Sequence, residues 1–327
     1  MRFGPRQVKS GGVGKVAGAK QIISFIRGMS LDEINQQIKE PPRLLFISSD
    51  PHAEELLVHL TDVRGTPATE IVAPDQVPKR LSEYDLILVH EPTSNEAFIQ
   101  ARKQAGPRVD RVFDVGPTDG PDWAGKLRAR IADSLGNEVV PIACWYPAFR
   151  EAASNAIIND AARDNAQFAL IANIPSVVPI VGSIASAGAD MIVLTKNQAQ
   201  MAIRLAAING RSIDDKAAVF RDIAPVIGSG FIWRTLAREG ASFLPFAAGT
   251  IPKVLVAYAG TVTTGRAIDS YFRFGKKPSK DQLKDYYQQA LERARQHIPL
   301  LGRSDTTPAL DATDERPLST NGAPTSS

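Results

Sequence analysis

The chain is expected to fold as an α/β domain followed by an all-α domain. Strand and helix patterns alternate over residues 41–147. After Pro147 the strand patterns stop and long, Ala-rich helical patterns carry the chain to about residue 300. The stretch 241–275, ASFLPFAAGTIPKVLVAYAGTVTTGRAIDSYFRFG, is apolar enough to hide from water, yet it holds Lys253, Arg266 and the threonines 250, 261, 263 and 264. A basic arm (1–40) and a Ser/Thr/Pro/Asp-rich tail (301–327) flank these domains, and the tail has too few large apolar groups to order itself. At 327 residues the chain is long for one core, so two domains are the default.

Residues 1–29 carry six cations and no acid, the first carboxylate being Asp32. Ile22, Ile23, Phe25 and Ile26 give this arm an apolar face. The cluster is too short for the apolar core of a signal peptide. The arm reads as a flexible segment with a docking helix, or as an attachment to an anionic membrane surface, where each cation contributes about 1 kcal/mol.

Ser30 and Glu33 form a capping box, and the helix it opens stops before Pro41-Pro42. Arg43–Ser48 reads as a buried strand and Ala53–Leu60 as a helix with Leu56, Leu57 and Leu60 on one side. Ala68–Ala73 is a weaker strand, and Tyr84–His90 (YDLILVH) is a strong one. A helix over 94–105, a strand over Arg111–Val115, a helix over 122–135 and a last strand over Glu138–Cys144 complete the alternation. This spacing argues for a mostly parallel sheet with helices on both faces. Helices are expected over 148–173, 190–209, 214–226, 231–238, 251–273 and 278–297, with Gly275 closing the helix before the last.

Composition excludes several classes. A net charge of +3 and 7% aromatic residues without Lys/Arg interleaving exclude a nucleic-acid surface. Cys144 is the sole cysteine, which forbids an internal disulfide or a Cys-rich metal site and fits a reducing compartment.

No catalytic constellation stands out. Ser10–Lys15 (SGGVGK) lacks the first glycine and the Ser/Thr of a phosphate loop, and no strand precedes it. A nucleotide-binding α/β domain would place that loop after strand 43–48. There the chain reads SSDPHAEE, without glycine or lysine, and Asp50, Glu54 and Glu55 would repel a triphosphate. Gly116–Asp119 has only the aspartate of a guanine-recognition turn. His52 and His59 share a helix face with Glu55 but lack a wider ligand set, so no metal site is expected. Gly228-Ser229-Gly230 reads as a turn between helices. No cofactor is expected either.

Two further patterns concern packing. Asp190, Lys253 and Arg266 lie in apolar sequence, where unpaired charges are costly, so they are expected to find partners in a buried polar network with Asn197 and Gln198. Asp190 and Lys253 are expected to approach each other. Ala257, Thr261 and Gly265 recur every four residues and line one helix face with small side chains, which allows close contact with another helix.

The segments LTKNQAQM (194–201), IPKVLVAYAGTVTTGRAIDSYFRFG (251–275) and PSKDQLKDYYQQAL (278–291) resemble a GTPase-associated helical family of unknown function that includes the YcjF-type membrane proteins. The likeness covers about residues 148–297. Its motif consists of Ile251, Pro252 and Lys253, then Ala257, Tyr258, Ala259, Gly260 and Thr261, then Gly265, Arg266, Tyr271, Phe272 and Gly275. Relatives often carry a GTP-binding domain upstream. The resemblance therefore implies that 41–147 is a degenerate P-loop-GTPase-like domain, nucleotide-free because SSDPHAEE replaces the phosphate loop.

These readings lead to a non-enzymatic adaptor at the cytoplasmic face of a membrane. It would hold a protein partner through the α/β domain and be able to self-associate through the helical domain. The alternatives are a soluble cytoplasmic interaction protein with a packed helical core, and a divergent GTPase. Spanning is marginal for both apolar stretches. Ser176–Leu194 contains Asp190, and Ala241–Thr264 has Lys253 at its centre, where a charge costs about 3 kcal/mol.

Overall fold

The computed structural model describes residues 32–171, 185–215, 218–222 and 250–301. Residues 1–31 of the basic arm, with Ser30 and the Ser10–Lys15 run, the expected helix 231–238, the Gly228–Gly230 turn and tail residues 302–327 lie outside the described residues. Among the described residues there are four strands and nine α-helices.

Helix α1 (Asp32–Lys39) leads into β1 (Leu44–Ser48), α2 (Ala53–Thr61) and β2 (Thr69–Val72). Then follow β3 (Leu86–His90), α3 (Glu96–Ala105), β4 (Val112–Asp114) and α4 (Trp123–Leu135). All three strand pairings are parallel, in the order β2-β1-β3-β4. The central strands β1 and β3 are buried at every position. A strand covered on both faces has no polar side, which is why LLFIS and LILVH are continuous apolar runs.

Alternation along these strands splits the core. Leu45, Ile47, Ile87 and Val89 meet Ala97, Ala101 and Ala105 of α3 on one face. Leu44, Phe46, Leu86, Leu88 and Phe113 point to the other face, under α2 and α4. That second cluster continues without a break across residue 147 into the helices beyond.

The expected strand over Glu138–Cys144 is instead helix α5 (Val139–Trp145), entered through a 3-10 turn at Gly136–Glu138. Pro141 has no N–H to give a ladder but is tolerated in the first turn of a helix. Val139, Val140, Ile142 and Ala143 are all buried. Trp145 donates its ring N–H to the Ile38 carbonyl at 3.1 Å, tying α5 to α1. Tyr146 bonds Thr69 Oγ1 at 3.1 Å, tying it to the edge strand.

The helical layer consists of α6 (Arg150–Ile171), α7 (Ala185–Ile208), α8 (Thr250–Phe274) and α9 (Lys280–Leu301). Helix α8 packs most extensively on α6, then on α9 and α7, while α6 also touches α4. The C-terminal part of α7 is mostly enclosed: Met201, Ala202, Ile203, Leu205, Ala206, Ala207 and Ile208 are all buried. Of the expected helix 214–226, residues 218–222 are described and helical. Gly275 ends α8 at φ 67°, in the left-handed region, with its N–H on the Tyr271 carbonyl at 2.8 Å.

Cys144 is half-buried on α5, and burial pushes its thiol up to about 11. The thiol is therefore protonated at pH 8 in the fold. Ellman's reagent is expected to label it at least about tenfold more slowly in native protein than in urea-unfolded protein. Equal rates would place Cys144 at the surface.

Candidate functional site

In a doubly wound sheet, ligands bind beyond the carboxyl ends of the strands, where the strand order reverses. Here that point lies between β1 and β3. The chain leaving β1 is Ser48-Ser49-Asp50-Pro51-His52, and the chain leaving β3 is His90-Glu91.

A phosphate at this place would need free backbone N–H groups at the head of α2. Three N–H groups of the loop and of the helix's first residue are already engaged. The Asp50 N–H donates to Ser48 Oγ at 3.1 Å and the His52 N–H donates to Asp50 Oδ1 at 2.8 Å. The Ala53 N–H donates to the Asp50 carbonyl at 3.1 Å. Asp50 Oδ2 also lies 3.4 Å from Nε2 of His90, which is 3% exposed. The His52 N–H, seconded by His90, holds the Asp50 carboxyl below the usual carboxylate range. The loop thus closes on its own carboxylate, and Glu54 and Glu55 add negative charge in the first turn of α2.

His52 Nδ1 meets Glu55 Oε2 at 3.3 Å on the surface, and the His59 ring lies against Trp123 at 5.4 Å. Among the described residues no cluster of His, Cys, Asp or Glu could hold a metal ion. The turn after β4 is built locally, the Gly116 N–H donating to Asp114 Oδ1 at 3.0 Å.

The helical layer holds two separate polar clusters. In the first, Asn197 Nδ2 of α7 donates to Asn165 Oδ1 of α6 at 2.9 Å. Asn165 Nδ2 donates to Thr261 Oγ1 of α8 at 2.8 Å, and Thr261 donates to the Ala257 carbonyl at 2.8 Å. Asn165 is wholly buried, so this relay pins three helices in one register. In the second, Asp269 of α8 accepts from Ser154 Oγ at 2.7 Å and Asn209 Nδ2 at 3.2 Å, and pairs with Arg273 Nε at 2.9 Å.

The expected network is therefore distributed differently. Asn197 belongs to the relay, and Gln198 is half-buried beside it on α7. Arg266 is elsewhere: it faces α9, donating to Gln289 Oε1 at 3.0 Å, with its guanidinium 5.7 Å from the Tyr286 ring. Asp190 lies on α7 and Lys253 on α8, but their side chains, like those of Ile251 and Pro252, lie outside the described residues, and with them the expected approach of Asp190 to Lys253.

Of the small-residue face, Ala257 is half-buried and Thr261 and Gly265 are buried. A Cβ at Gly265 would lie 2.7 Å from Ile158 Cγ1 of α6 and 2.9 Å from Met201 Sδ of α7. Tyr258 and Tyr271 are half-buried, while Ala259, Gly260 and Phe272 are buried. Asn165, Ser154 and Asp269 were not anticipated from the sequence. Asn165 carries a usable signal, since it falls on the apolar stripe Ile158, Ala162, Asn165.

Compared with protein-family models, curated proteins and solved structures, the chain matches none of them.

Proposed function

We propose that the protein is a non-catalytic adaptor, in which a nucleotide-free, GTPase-like α/β layer is joined to a helical bundle and held peripherally at the cytoplasmic face of a membrane. The observation that carries this reading is the Asp50 carboxylate on the His52 N–H, where a phosphate would have to bind. A triphosphate would meet an occupied N–H and three carboxylates. The likeness of the helical segments to the YcjF-type family supports the reading. So does the edge strand β2, which pairs only with β1 among the described residues and leaves Ile71 42% exposed, a feature suited to a protein partner.

The helices themselves support attachment from outside the bilayer. No helix among the described residues is long and apolar enough to cross a membrane. Thr261, Thr263 and Thr264 of α8 are buried inside the bundle. The parts of 176–194 and 241–264 outside α7 and α8 lie outside the described residues. The anchor proposed is therefore the basic arm.

Titrating the full chain with fluorescent GTP and ATP analogues in magnesium buffer is expected to show no saturable binding up to about 1 mM. Micromolar binding of either would overturn the nucleotide-free reading and revive the divergent GTPase.

A further inference from the structure

Among the described residues the most exposed large apolar side chain is Phe274, at 71%. A single exposed apolar side chain is ordinary on a protein surface. The setting of Phe274 is unusual. It is the last residue of α8, and α8 packs on α9, so it stands on the turn that closes a helical hairpin. Gly275 follows in the left-handed region and ends the helix there. Phe272 is buried and Tyr271 half-buried, so the same helix end sends its other rings inward and Phe274 outward.

The turn is also cationic. Between Asp269 and Asp281 the chain carries Arg273, Lys276, Lys277 and Lys280 and no acid. Lys276 and Lys277 are exposed. Arg211 joins them from the turn after α7, its guanidinium 6.0 Å from the Phe272 ring. The acids that flank these cations in sequence are engaged. Asp269 pairs with Arg273 at 2.9 Å, Asp214 accepts from the Ser212 hydroxyl and Asp215 pairs with Arg221. Asp281 lies in the first turn of α9, where the helix dipole favours it. An aromatic ring set among cations suits a surface that is anionic outside and apolar just beneath. An acidic bilayer is such a surface: its headgroups attract the cations and its interface takes the ring.

We infer that the α8–α9 turn is a second membrane contact, in which Phe274 enters the interface of an anionic bilayer while Lys276, Lys277 and Arg211 face its headgroups. This contact rests on the membrane part of the adaptor reading and adds a structured element to the basic arm. One short segment ties the two together. Trp145 donates to Ile38 of α1, the helix that continues the arm, and the Arg150 carbonyl accepts from Arg273 Nη2 at 3.5 Å. Two weak contacts on one chain bind jointly far more tightly than either alone, so losing one is felt as loss of attachment.

The test is cosedimentation of the full chain with vesicles of phosphatidylcholine, with and without phosphatidylserine, at low salt. Binding is expected to the vesicles that contain phosphatidylserine. Phe274→Ser is expected to weaken it about fivefold, and Lys276→Glu combined with Lys277→Glu about tenfold or more. In Phe274→Trp, brominated acyl chains are expected to quench the emission further than in the parent, whose three tryptophans supply the baseline. These positions are exposed, so each melting temperature is expected to stay within about 2 °C of the parent's.

Quenching equal to the parent's overturns the inference, as does binding indifferent to Phe274→Ser and to the lysine pair. If glutamate at Lys9, Lys15, Lys20 and Arg27 then still abolishes binding, the adaptor reading stands without this contact. If the arm variant binds like the parent while Phe274→Ser does not, the turn stands and the arm falls as the anchor. A parent protein that ignores both kinds of vesicle overturns the two together.

Discussion

Replacing Asp269 by alanine is expected to lower the unfolding free energy by about 3 kcal/mol. Three helical segments converge on this carboxylate: Ser154 of α6, Asn209 at the end of α7 and Arg273 of α8. Ser154 is 2% exposed, so its hydroxyl cannot exchange the lost acceptor for water. The Arg273 side chain is 27% exposed and can turn outward, which keeps the loss at the lower end for a broken buried pair. Asp269→Asn keeps one acceptor oxygen and is expected to lose about half as much. Urea unfolding at neutral pH measures both. A loss below about 1 kcal/mol for the alanine variant would mean that the junction does not fasten the bundle.

Gly265→Leu is expected to cost about 3 kcal/mol or more, and to leave little folded protein at 37 °C. Gly265 is where α8 crosses both α6 and α7. Even a single carbon there would press on Ile158 and Met201, and a leucine must push the helices apart. Gly265→Ala is subtler. Alanine gains about 1 kcal/mol in helix propensity over glycine but meets Ile158 Cγ1, at the root of a branched side chain, at 2.7 Å. A net loss of about 1 kcal/mol is expected, because Met201 can yield and Ile158 cannot. Thermal unfolding of the two variants reads the crossing directly. A Gly265→Leu protein as stable as the parent would show that the helices do not pack this closely.

The sheet was legible wherever burial on both faces left a continuous apolar signal. LLFIS and LILVH, short apolar runs with β-branched or aromatic residues between turn signals, read as central strands and are so. The same rule misreads EVVPIAC, because a short apolar run does not tell a buried strand from a buried helix. Pro141 was the discriminating residue, since a central strand has no place for a missing N–H. The long helices were legible because their apolar spacing persists over many turns, and only their ends differ by a few residues.

The polar interior was less legible. Charges in apolar sequence drew attention to Arg266, which faces α9, while the relay uses uncharged Asn165, Asn197 and the hydroxyl of Thr261. An asparagine in an Ala-rich helix reads as solvent-facing unless its place on the stripe of Ile158 and Ala162 is weighed. The contact of His90 with Asp50 joins the end of β3 to the loop after β1, forty residues apart in sequence. No local pattern announces it. The missing phosphate loop, by contrast, was plain in SSDPHAEE, although only the structure shows the Asp50 carboxylate taking the His52 N–H.

The measurement that tests the account most directly is fractionation of the native protein, with a salt wash and an alkaline carbonate wash of the membrane pellet. A peripheral adaptor held by its basic arm is expected to pellet with membranes at low salt and to be released by about 0.5 M salt, because surface charge attraction is screened within a few ångströms there. Glutamate at Lys9, Lys15, Lys20 and Arg27 is expected to abolish pelleting without unfolding the protein. Retention through the carbonate wash would contradict the account, since the helices would then be inserted in the bilayer rather than packed on one another.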